Sequence, residues 1–185
     1  IRTDCIKNSI ILSATIRLHQ VKFSNKTGIP PVDRGMLMFY NMTDVTDMKT
    51  KNSIFDSNTA ERYLVNFESY PLELDVVLPA FSWVCHFRRD KLIALINDVD
   101  KYEIISSGNF KEHGALYYRC IKTFYLKGNY ISEGDLVRIE NITPQTTLRA
   151  AEMISPHIKN KDITVSIYHL NGELIKDYEK DGLEN

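Results

Sequence analysis

The 185 residues are 43% apolar and 25% charged, with a formal net charge of −1, the composition of one globular domain with enough chain to bury a core. That balance argues against nucleic acid as a partner, because a polyanion is held by a basic surface. No run of about 18 apolar residues could span a membrane, and no basic stretch leads into a short apolar one as in a signal peptide.

The chain begins at Ile1 rather than Met, so processing or truncation is expected to have removed what preceded it. An upstream signal would send the protein to the periplasm or cell surface; otherwise its compartment stays open. The first apolar segment, SIILSATIRLHQVKF, is rich in β-branched residues and predicts a strand through about Ile10 to Leu18. Gly28 and the paired Pro30 and Pro31 then break any regular element. In RGMLMFYNM, Met36, Leu37, Met38 and Phe39 run without a polar break into Tyr40 and Asn41. Such a run suits a strand covered on both faces, as in a parallel sheet. After the polar loop TDVTDMKTKNS, Asn58 and Glu61 have the spacing of a capping box, and Ala60, Tyr63, Leu64 and Phe67 recur at helical spacing. Val76, Val77 and Leu78 predict a short strand that stops at Pro79, ahead of Trp83. Strand, strand, helix, strand is the order of a parallel α/β sheet with crossover helices.

The rhythm then changes. WVCHFRRDKLIALIN reads as a hairpin turning near Arg89 and Asp90, and LYYRCIKTFYLKGNYISEGDLVRIE as two more strands around SEGD. Residues 84–140 are therefore expected to form an antiparallel insertion between α/β units at 1–83 and 141–185, all within a single domain. Thr143 predicts an N-cap with Pro144 in the first turn of a helix through QTTLRAAEMI, and DITVSIYHL predicts a strand ending at His169. In NGELIKDYEK, Asn171 and Gly172 favour a hairpin turn, whereas Leu174, Ile175 and Tyr178 suit a closing helix. Cys5, Cys85 and Cys120 lack metal-type spacing. Two buried thiols are expected at Cys85 and Cys120, with a disulfide between them as the alternative in an exported protein. No glycine-rich phosphate loop is present, and no metal or other cofactor is implied.

Aligned by their carboxyl ends, the four expected parallel strands bring together Arg17 and His19, Tyr40 and Asn41, Ser82 and Trp83, and Tyr168 and His169. That end of a parallel α/β sheet is where ligands bind. A stacking face from Trp83, a donor fork from Arg17 and mixed donors and acceptors from Asn41, His19 and His169 suit a neutral, hydroxyl-rich ligand such as an oligosaccharide or polysaccharide. The blander expectations are Trp83 in the core, Tyr40 capping the sheet and Arg17 paired with Asp33. Glycoside hydrolysis uses two carboxylates about 5–9 Å apart, or one with a substrate acetamido group. Asp44 and Asp47 have ordinary turn composition, Asp75 begins its strand, and Glu140 is expected to pair with a surface cation, so no catalytic residue is nominated.

SATIRLHQVKF, TGIPPVDRGMLMFYNM, LDVVLPAFSW and GDLVRIE, in this order and spacing, resemble the C-terminal half of a group of uncharacterised Bacteroides-type proteins with a glycoside-hydrolase-like barrel. More distantly, MLMFYNM is similar to the sixth barrel strand of family-18 glycoside hydrolases, the chitinases and their relatives, where M-x-Y-D/N presents a Tyr to the substrate acetamido group. The resemblance implies that Tyr40 and Asn41 contact substrate. Asn41 stands where active members commonly have Asp, and the acidic D-x-x-D-x-D-x-E motif of the fourth strand is absent from these residues. A TIM barrel takes roughly 250 residues. The expectation is therefore an α/β fold, the C-terminal half of a TIM (β/α)8 barrel covering strands five to eight, with an antiparallel β insertion. Its partner would be the missing N-terminal half of the barrel, which would also carry the catalytic carboxylate. The structural alternative is a complete small α/β domain, and the functional one a non-enzymatic protein-interaction module.

Overall fold

The structure is a computed structural model that describes residues 2–99, 101–160 and 162–169. In chain order its first elements are α1 (Arg2–Lys7), β1 (Ser13–Arg17), α2 (Leu18–Lys22), α3 (Ser24–Thr27), β2 (Arg34–Met38), α4 (Ser57–Leu64) and β3 (Leu74–Pro79). Then come β4 (Trp83–Arg88), β5 (Lys91–Asn97), α5 (Lys101–Ser106), β6 (Phe110–His113), β7 (Tyr117–Cys120), β8 (Phe124–Leu126) and β9 (Asn129–Ile131). The last are β10 (Leu136–Glu140), α6 (Pro144–Ile154) and β11 (Val165–Tyr168). Contacts divide the chain into two compact units, one of residues 1–42, 55–80 and 143–185 and one of residues 43–54 and 81–142. The expected turn or helix at 171–178 lies outside the described residues.

The first unit is a parallel sheet in the order β1-β2-β3-β11. β3 is buried along its whole length, Asp75 included, whereas β2 alternates between buried and half-buried positions. Gly35 lets β2 lie close to its neighbours, because a Cβ there would meet Leu74 at 2.6 Å and Ile16 at 2.8 Å. The first strand ends at Arg17, where the Gln20 side chain accepts from the Arg17 N–H at 2.8 Å and starts α2, so His19 is helical. α4 is capped by Asp56 rather than Asn58: the Asp56 carboxylate accepts from Thr59 N–H at 2.8 Å, which places Asn58 inside the first turn. α6 starts as expected, with Thr143 accepting from Thr146 N–H and Pro144 in the first turn. Thr147 Oγ1 donates to the Pro79 carbonyl at 2.7 Å and fastens this helix to the end of β3. At the amino ends of the strands Arg34 pairs with Asp75 at 2.8 Å, and Asp75 also accepts from Thr164 N–H. Asp33, considered for Arg17, instead accepts from Leu12 N–H.

The second unit is an antiparallel sheet in the order β5-β4-β10-β7-β6, with β8 and β9 as a separate ribbon. β4 and β5 turn at Arg89 and Asp90, both with positive φ (51° and 61°), the conformation that matches the twist of a two-residue hairpin. The stretch expected to hold two strands holds four, because Lys127 and Gly128 make a further positive-φ turn between β8 and β9. One face of the unit is apolar, built on Val84, Ile96, Ile104, Ile131 and Val137. On the other face Cys85 of β4, Arg138 of β10 and Tyr117 of β7 lie side by side in register. The polar segment 43–54 covers this face: Arg138 donates to the carbonyls of Val45 (2.8 Å) and Asp47 (3.0 Å), and Tyr117 Oη to that of Met48 (2.8 Å). Cys85 and Cys120 are buried free thiols.

Candidate functional site

At the carboxyl ends of the parallel strands two tyrosines meet. Phe39 extends the line of β2 through a bond from its N–H to the Val77 carbonyl (3.0 Å), and its ring is fully buried. Tyr40 then comes to the sheet end, followed by Asn41 with φ 54°, a left-handed turn that Asn tolerates better than most residues. Tyr168 closes β11, and its carbonyl accepts from Ala80 N–H at 2.6 Å. β2 and β11 are separated by β3, hence by about 10 Å of sheet. The two rings bridge that gap and stack, with centroids 5.3 Å apart and planes inclined by 11°. The buried residue at the end of the intervening strand is the small Ala80. His169 packs its ring edge-on to Tyr168 at 5.3 Å. Burial, and then the neighbouring Tyr168, push the Tyr40 hydroxyl above its ordinary pKa, so it stays protonated and can both donate and accept.

Arg17 closes β1 with an exposed side chain, and His19 is exposed on α2. Trp83 is placed differently from the sequence expectation: the third parallel strand ends at Pro79, and Trp83 opens antiparallel β4 in the second unit. There its indole N–H donates to Glu140 Oε2 at 2.8 Å, and its ring meets Phe81 edge-on. Of the six residues nominated, Tyr40, Asn41, His169 and Arg17 lie at ends of the parallel sheet, His19 follows in α2, and Trp83 belongs to the other unit. Tyr168 was legible at its strand end, but its stacking on Tyr40 is a cross-strand contact that no local pattern encodes.

The carboxylates are occupied by structural bonds. Glu140 is fully buried rather than at the surface and faces the equally buried Arg138 at 2.7 Å. Its second oxygen accepts from Ser53 N–H (2.8 Å), the Ser53 hydroxyl (2.5 Å) and Trp83. Asp44 is held below its ordinary pKa by the Thr46 hydroxyl and N–H within an exposed turn. Among the described residues no three His, Cys, Asp or Glu side chains cluster as metal ligands do, and no helix is long and apolar enough to cross a membrane.

No protein-family model matches the sequence, and no curated protein is similar enough to align. Solved structures do match. The spore cortex-lytic enzyme SleL of Bacillus megaterium QM B1551 aligns over 91% of this chain and 40% of its own, with a TM-score of 0.52 at 7% identity. The putative sporulation-specific glycosylase ydhD of Bacillus subtilis aligns over 90% of this chain and 56% of its own, with a TM-score of 0.51 at 7% identity. At 7% identity the likeness to these two proteins is one of fold. The chain spans about half the length of these two structures.

Proposed function

We propose that the chain is the C-terminal half of a glycoside-hydrolase-type (β/α)8 barrel that binds an oligosaccharide or polysaccharide at its strand ends, with the catalytic carboxylate outside these residues. The stacked Tyr40–Tyr168 pair carries the reading. Two rings at the carboxyl ends of parallel strands, flanked by Asn41 and His169, offer an apolar face for a sugar ring and donors and acceptors for its hydroxyls. Arg17 and His19 serve as exposed donors at the rim. Trp83 is left out of the site, since its N–H is committed to Glu140. The half-barrel is supported by the sheet edges: Val165 and Ile167 on β11 and Ile10 and Ile11 ahead of β1 are exposed apolar residues on the two outermost strands or beside them.

The test is titration of chitotetraose by calorimetry. Tyr40→Ala should weaken saturable binding about tenfold, on the scale of a lost aromatic contact, without lowering the thermal midpoint appreciably, while Tyr40→Phe isolates the hydroxyl. Absence of saturable binding by the parent chain rejects the reading. The competing protein-interaction module draws support from the exposed Ile93 and Leu95 on edge strand β5. It requires that no sugar bind.

A further inference from the structure

The outward face of the β8–β9 ribbon carries two aromatic rings and no aliphatic side chain. Alternation along FYL and NYI sends Leu126 and Ile131 into the core of the second unit, with Phe124 packed against that core. It sends Tyr125 and Tyr130 outward, directly opposite each other in the ladder. Their rings meet edge to face at 5.3 Å, and the residues remain 70% and 50% exposed. The inner residues of the ribbon are buried, and Lys127 in its turn pairs with Glu103 of α5 at 3.5 Å.

We propose that Tyr125 and Tyr130 form an accessory carbohydrate platform that stacks against the C–H faces of sugar rings in a polysaccharide. Size selects this occupant over a protein. Two tyrosines at these exposures present roughly 250 Å², about a third of the ~800 Å² per partner that a stable protein interface takes. Chemistry points the same way, because each outward ring has an apolar face and a hydroxyl at its rim, the pairing that suits a pyranose. The proposal rests on the glycan reading above but uses none of the strand-end residues.

The experiment measures depletion of the full chain onto insoluble chitin, beside calorimetry with chitotetraose, for the parent, Tyr125→Ala/Tyr130→Ala and Tyr125→Phe/Tyr130→Phe. The double Ala variant should lose chitin retention about tenfold with chitotetraose affinity unchanged, and the double Phe variant should hold retention within about twofold. Equal retention by parent and double Ala variant overturns the platform, and chitotetraose binding then leaves the strand-end reading standing. Retention that depends on the two rings with no chitotetraose binding supports the platform and removes the strand-end site. No retention and no binding overturns both. Should the double Ala variant lose its far-ultraviolet circular dichroism, Tyr125→Ser alone, at the more exposed ring, is read by the same criteria.

Discussion

Asp135 shows how a single buried carboxylate can set the acid limit of the second unit. Burial alone would raise its pKa, but hydrogen bonds from Arg88, His86 and the Ser132 N–H outweigh that and hold it at about 2, from an ordinary 3.8. The bonds are short: 2.7 Å to His86 Nε2, and 2.8 Å to both Arg88 and Ser132. A folded pKa below the unfolded one means that the stabilisation is complete above the unfolded value and disappears as pH falls through the folded one. Urea midpoints should therefore drop between about pH 4 and pH 2, Asp135 contributing roughly 2 kcal/mol of the loss. Asp135→Asn should be less stable at neutral pH and flatter across that window; a parallel profile for the two proteins would refute the assignment. Arg138 and Glu140 form a buried ion pair in the same unit. Two residues apart on one strand, they share a face, and that much is legible in DLVRIE. What the sequence conceals is that this face is roofed by 43–54, which turns an expected surface pair into a buried one. Glu140→Ala leaves the Arg138 charge enclosed, and chemical denaturation should register a cost of about 3–5 kcal/mol.

Among the elements, those with a complete local signature are the ones the sequence foretells. α6 has its cap, its proline and its helical spacing, and the β4–β5 turn sits at Arg89 and Asp90, where the pattern puts it. α4 is foretold as a helix but with the wrong start, because Asp56 and Asn58 are both good caps and only the path of the incoming chain chooses between them. Asp56→Ala should cost about 1 kcal/mol and Asn58→Ala much less, which thermal melts of the two variants can separate. β8 and β9 escape notice because strands of three residues are too short for alternation to be recognised. The candidate site divides in the same way: the ends of β2 and β11 are visible as apolar runs with a polar stop, that of β3 is carried too far, to Trp83, and the order β1-β2-β3-β11, which decides which ends are neighbours, is a long-range property.

For the molecule as a whole, a parallel sheet that has four strands among the described residues, with exposed apolar side chains at its outer strands, predicts association. Parallel sheets are normally covered on both faces and closed or shielded at their edges. If the half-barrel proposal holds, the purified chain should not persist as a simple monomer of 21.4 kDa. Light scattering should find oligomers, or a complementary barrel half should co-purify. A dispersed monomer that binds no hydrophobic dye would favour a self-sufficient α/β domain.

The route of the chain adds one more consequence. Residues 43–54 leave the first unit only long enough to cover Arg138, Glu140 and Tyr117 before residue 55 rejoins it. The antiparallel sheet is therefore no detachable cassette: excising 81–142 would strip those twelve residues of the groups that satisfy them, and transplanting 81–142 alone would leave an ion pair without its roof. Any engineered exchange, and any natural one, has to move two separate stretches of sequence together.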